Sequence, residues 1–154
     1  MRKYLLLAIV PLVLLLSIFT LGEKQIPASL FVSPEISSPG DWVKEEQIKV
    51  YPNQVILNIE GASWTTFTDT NSMDPFLDAE SNAIEVMPKA PEEIEVGDII
   101  SYQTDYGVII HRVVERGIDK EGIYYLVKGD NNSSVDPGKV RFEQVKGVLV
   151  AIIY

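Results

Sequence analysis

Hydrophobic positions fall along this chain in two unlike patterns. Residues 4–21 form one apolar run interrupted only by Pro11, Ser17 and Thr20, whereas from residue 48 onward apolar residues come in short bursts between turn-forming residues. The run matches a membrane-spanning helix, which takes about 17–25 predominantly apolar residues. A cleaved signal peptide has an apolar core of about 7–15 residues and a small-x-small cleavage site. Ser17-Ile18-Phe19 and Thr20-Leu21-Gly22 supply no such site, so the pattern predicts an uncleaved anchor over 1–22. Arg2 and Lys3 precede the run and Glu23 follows it. The positive-inside bias then leaves the amino terminus in the cytoplasm and everything after Gly22 on the extracytoplasmic side of the cell membrane.

Residues 23–47 carry Pro27, Pro34, Pro39, Gly40 and several serines with no sustained period, which predicts a juxtamembrane linker. Beyond it, β-rich bursts predict strands at 54–59, 83–86, 98–102, 107–114, 123–127 and 145–153. Gly97-Asp98, Asp105-Tyr106-Gly107, Glu121-Gly122 and Asp136-Pro137-Gly138 supply turns between them. No stretch after the anchor has a helical period. The expectation is a mainly β domain over 48–154, a folded-over antiparallel sheet or barrel behind one transmembrane helix.

Composition narrows the chemistry. Of the 13 Lys and Arg, two precede the apolar run, while all 22 Asp and Glu follow it. So acidic a surface argues against nucleic acid as a partner, because phosphate binding rests on Lys and Arg. There is no cysteine and one histidine, which excludes disulfides, thiolate zinc sites and histidine clusters for a metal.

Three polar segments hold the candidate chemistry. Thr68-Asp69-Thr70-Asn71-Ser72-Met73-Asp74-Pro75 lies between two expected strands and, alone, reads as an ordinary turn. His111 stands on the apolar strand 107–114, beside Ile110 and Val113. Lys128-Gly129-Asp130-Asn131-Asn132-Ser133-Ser134-Val135-Asp136 follows a strand and carries two carboxylates. A calcium loop would need a distal bidentate Glu and a central glycine, which this segment lacks. Together the segments offer a serine, a base to activate it and a carboxylate to orient the base, the three parts of a nucleophilic triad.

Asn71-Ser72-Met73-Asp74-Pro75, Gly97-Asp98-Ile99-Ile100, Ile110-His111-Arg112-Val113-Val114 and Lys128-Gly129-Asp130-Asn131-Asn132 with Asp136 resemble, in order, the sequence boxes of signal peptidase I. The resemblance covers 64–154. Histidine in the third box is similar to the archaeal and endoplasmic-reticulum branch, the bacterial branch having lysine there. It implies Ser72 as nucleophile, His111 as general base, Asp136 as third member, and Asp130 as a second carboxylate of the same box. It further implies Thr70 as an oxyanion-hole hydroxyl and Met73 as a substrate contact. Asn71 stands where the family often has glycine; Asn is the residue besides glycine that best tolerates positive φ. The implied activity is endopeptidase removal of signal sequences from exported preproteins, without metal or organic cofactor. Secretory preproteins, membrane lipid and the translocation machinery are the implied partners. Two rival readings are a processing peptidase of the LexA-like Ser-Lys class, with Lys89 or Lys128 as base, and a non-catalytic anchored β-domain.

Overall fold

The structure, a computed structural model, describes residues 35–154. The apolar run 4–21 and the first part of the expected linker lie outside the described residues. Among the described residues no helix is long and apolar enough to cross a membrane. Those residues form one compact unit from Ile36 to Tyr154, built from nine strands and short 3-10 turns, with no α-helix.

Strands β1 (Ile48–Tyr51) and β2 (Gln54–Leu57) pair as a separate antiparallel hairpin. The remaining strands are β3 (Ala62–Thr66), β4 (Asn82–Val86), β5 (Ile99–Thr104), β6 (Gly107–Asp119), β7 (Gly122–Lys128), β8 (Val140–Arg141) and β9 (Val145–Ile153). They make one antiparallel sheet in the order β3-β4-β9-β5-β6-β7-β8. Its edges are β3 and β8, and no ladder joins them among the described residues.

The central strands read as near-continuous apolar runs because both faces of the sheet are covered. Ile100, Tyr102, Val113, Tyr125, Val127, Val145 and Val148 make the larger core. Ile99 and Leu149, neighbours of Ile100 and Val148 but pointing the other way, join Met73, Leu77 and Ala83 in a second core. The second core anchors the 67–77 loop, which carries the serine.

Residues 36–47, assigned by their composition to the linker, belong to the folded unit. Asp98, fully buried, accepts hydrogen bonds from Gly40 N at 2.7 Å and Trp42 Nε1 at 3.0 Å. Trp42 also packs on the larger core. Proline and serine content cannot signal such docking, since the attachment is made by a distant carboxylate and by the core on which Trp42 packs.

Candidate functional site

The site forms where β6 changes partners. β6 pairs with β5 from Gly107 to Arg112, but its ladder with β7 begins only at Arg112. Over 107–111 the β7 side of β6 is therefore an open edge, and His111 stands at its end. The loops 67–77 and 129–139 close over that edge.

These two loops are bound to each other. Asn131 N donates to Ser72 O at 3.0 Å and Asn131 Nδ2 to Asn71 O at 2.9 Å. Gly129 permits the approach, since a Cβ there would lie 2.5 Å from Ser72 O. Asn71 takes a φ of 55°, the left-handed conformation expected of it, and turns Ser72 toward the imidazole.

Ser72, His111 and Asp136 meet as a triad. His111, 6% exposed, places Nε2 3.1 Å from Ser72 Oγ and Nδ1 2.5 Å from Asp136 Oδ2. A carboxylate oxygen can only accept, so Nδ1 carries the proton and the Nε2 lone pair faces the serine hydroxyl. Thr70 Oγ1 lies 3.2 Å from Ser72 Oγ. Met73 is buried in the second core and lines the cleft beside Ser72.

Asp130, the fourth catalytic candidate, is not part of this constellation. Its carboxylate takes a bidentate pair from Arg112, Nε to Oδ1 at 2.8 Å and Nη2 to Oδ2 at 2.7 Å. His111 and Arg112 are consecutive on a strand and so point to opposite faces. The carboxylate that pairs with Arg112 is thereby held away from the imidazole. Arg112 Nη1 also donates to Gly97 O at 2.8 Å, which ties the start of β5 to the same ion pair.

Three further residues belong to the site without having been singled out by the sequence. Tyr102 donates its hydroxyl to Asp136 Oδ2 at 2.5 Å; burial first, and then this bond to an anion, push the phenol well above its ordinary range. Glu85 and Ser101 are buried and line the cleft. For Glu85 within 83–86 and Ser101 within 98–102 the available signal was a polar residue at an inward position of an otherwise apolar strand; Tyr102, a member of the apolar core, carried none.

The cleft holds about 650 Å³ and runs from Ser72 and His111 between β3 with its following loop and the open edge of β6. Trp64, Phe67, Val108, Ile109 and Ile110 give it apolar walls. Such a trough between two strand edges suits an extended peptide. Lys89 and Lys128 do not line it, while Lys146 does. Ser72 Oγ bonds to His111 and Thr70, not to Lys146. No protein-family model matches the chain, and no curated protein matches it.

Proposed function

We propose that this protein is a membrane-anchored serine endopeptidase of the signal peptidase I type, in the Ser-His-Asp branch, which removes N-terminal signal sequences from exported preproteins. The observation that carries the reading is the hydrogen-bonded series from Ser72 Oγ through His111 to Asp136, on segments whose motifs resemble that family. In the proposed reaction Ser72 Oγ attacks the scissile carbonyl and His111 Nε2 takes its proton. The same nitrogen then protonates the leaving amine, giving an acyl-enzyme and the freed mature chain. Water, deprotonated by His111, cleaves the ester and restores the serine.

Asp136 keeps the imidazole in the productive tautomer and stabilises the imidazolium. The Ser72 backbone N–H and the Thr70 hydroxyl are the donors for the developing oxyanion; one such donor contributes about 2.7–4 kcal/mol to transition-state stabilisation. An anchor over 1–22 with the domain outside would hold the cleft at the membrane surface where signal sequences emerge, with the translocation machinery as neighbour.

Lys146 in the cleft favours a Ser-Lys reading of the LexA-like kind, but Ser72 is bonded to the imidazole instead. A binding module would not need a serine, a histidine and a carboxylate in series. Incubation of the detergent-solubilised protein with a preprotein tests the proposal: wild type yields the mature chain and Ser72→Ala yields none. Equal cleavage by both would refute it.

A further inference from the structure

The trough leading to Ser72 has apolar walls, yet two polar groups deep in it are unmatched. Glu85 is 6% exposed and Ser101 is 5% exposed. Glu85 Oε1 and Ser101 Oγ each lack a hydrogen-bond partner. Buried polar groups left so are rare in native proteins, because each forfeits its hydration with nothing in return. Burial pushes the Glu85 carboxyl above its ordinary range, and the neighbouring Ser101 hydroxyl draws it partly back.

The backbone makes room for this pair. Gly147 on β9 is the cross-strand partner of Ser101, and a Cβ at Gly147 would lie 2.9 Å from Glu85 Cβ and 3.0 Å from Glu85 Oε2. The missing side chain on the middle strand lets the Glu85 carboxyl extend from β4 toward Ser101 on β5. The result is a notch with a carboxyl on one side and a hydroxyl on the other, in the same cleft as the nucleophile.

We infer that Glu85 and Ser101 form a polar subsite that receives the hydroxyl of a serine or threonine located just before the scissile bond. The inference rests on the peptidase reading above and specifies its substrates. A hydroxyl supplies one donor and can accept in return, which matches a carboxyl oxygen and the Ser101 O–H together. A substrate carboxylate would meet Glu85, and a substrate ammonium would meet Lys146, which lines the same cleft. An alanine or valine leaves both protein groups unmatched, and sites that bond a substrate hydroxyl discriminate strongly against analogues lacking it.

The test uses the full-length protein in detergent and peptides spanning a cleavage site, with Ala, Ser, Thr or Val in turn at each of the three residues before the cut. At one position, kcat/KM for Thr should exceed that for its isostere Val by about tenfold or more. In Glu85→Leu and in Ser101→Ala that Thr-to-Val ratio should fall toward one; if Glu85→Leu does not fold, Ser101→Ala decides alone. Cleavage with no Thr preference at any position, or a preference unchanged in the variants, overturns the subsite and leaves the notch to a bound water. Absence of all cleavage by wild type, with Ser72 inert to a serine-directed phosphonate, overturns the peptidase reading and the subsite with it.

Discussion

Two aspartates in one loop have separate duties because adjacent residues of a strand face opposite ways. Asp136 reaches His111, whereas Asp130 neutralises Arg112, with the Arg112 and Asp130 side chains 8% and 5% exposed. Removing one partner of a buried pair leaves an uncompensated charge and costs about 3–5 kcal/mol. Asp130→Asn should therefore lower the thermal midpoint sharply while any folded fraction keeps its turnover. Asp136→Asn should fold with a near-normal midpoint and lose about 10⁴ in turnover. Turnover and melting measured on both variants check this; a stable, inactive Asp130→Asn would reverse the roles.

Tyr102 provides a finer probe of the same carboxylate. Its hydroxyl shares Asp136 Oδ2 with the imidazole, so Tyr102→Phe removes one of the two donors that hold this carboxylate in place. With the thermal midpoint little changed, kcat/KM should fall several-fold; an unchanged kcat/KM would make Tyr102 a packing residue only. Ser72, His111 and both aspartates stood out in the sequence as residue types in three polar or isolated settings. The resemblance pointed to Asp136 over Asp130, but the residues alone left both open, since which carboxylate meets His111 depends on the path of the 129–139 loop. Tyr102 gave no sequence signal of its role because an inward tyrosine looks like core.

At the scale of elements, strands 83–86, 98–102, 107–114, 123–127 and 145–153 were readable because burial imposes apolar runs on them. The edge strand Ala62–Thr66 was not: it is mostly exposed and its Ala-Ser-Trp-Thr-Thr carries no alternation. Val140–Arg141 is too short to show a period. β6 extends to Asp119 rather than ending at 114, because beyond Val114 it continues as a largely exposed ribbon with β7. There pairing alone, without burial, maintains the strand.

The segment 36–47 depends on Asp98, which accepts from Gly40 N, Trp42 Nε1 and Glu95 N. Hydrogen bonds to a charged group contribute about 1.5–3 kcal/mol each, and a buried donor left unmatched adds to the loss. Asp98→Ala should cost about 3 kcal/mol or more in denaturant unfolding and release Trp42 to solvent, seen as a red-shifted fluorescence. An unchanged emission maximum would mean the segment docks by packing alone.

For the whole molecule, sequence pattern divides the chain into an apolar amino-terminal run and an acidic β domain. The structure describes the domain and gives it two cores on opposite faces of one sheet. No family model or curated relative matches, so the functional reading stands on short motifs and on the geometry of the site. Motif spacing says nothing about distance, yet residues 39 and 25 positions apart come within hydrogen-bond reach. The mainly β class was thus legible from residues alone; the cleft was not, because its walls come from β3 and from the open edge of β6. The most direct test of the central claim, a serine activated by His111, is covalent labelling by a serine-directed phosphonate with peptide mapping by mass spectrometry. One adduct is expected, on Ser72, formed at least about a hundredfold more slowly in folded His111→Ala, as when a general base is removed. Labelling of Ser72 at an equal rate in both proteins, or none in folded wild type, would contradict it.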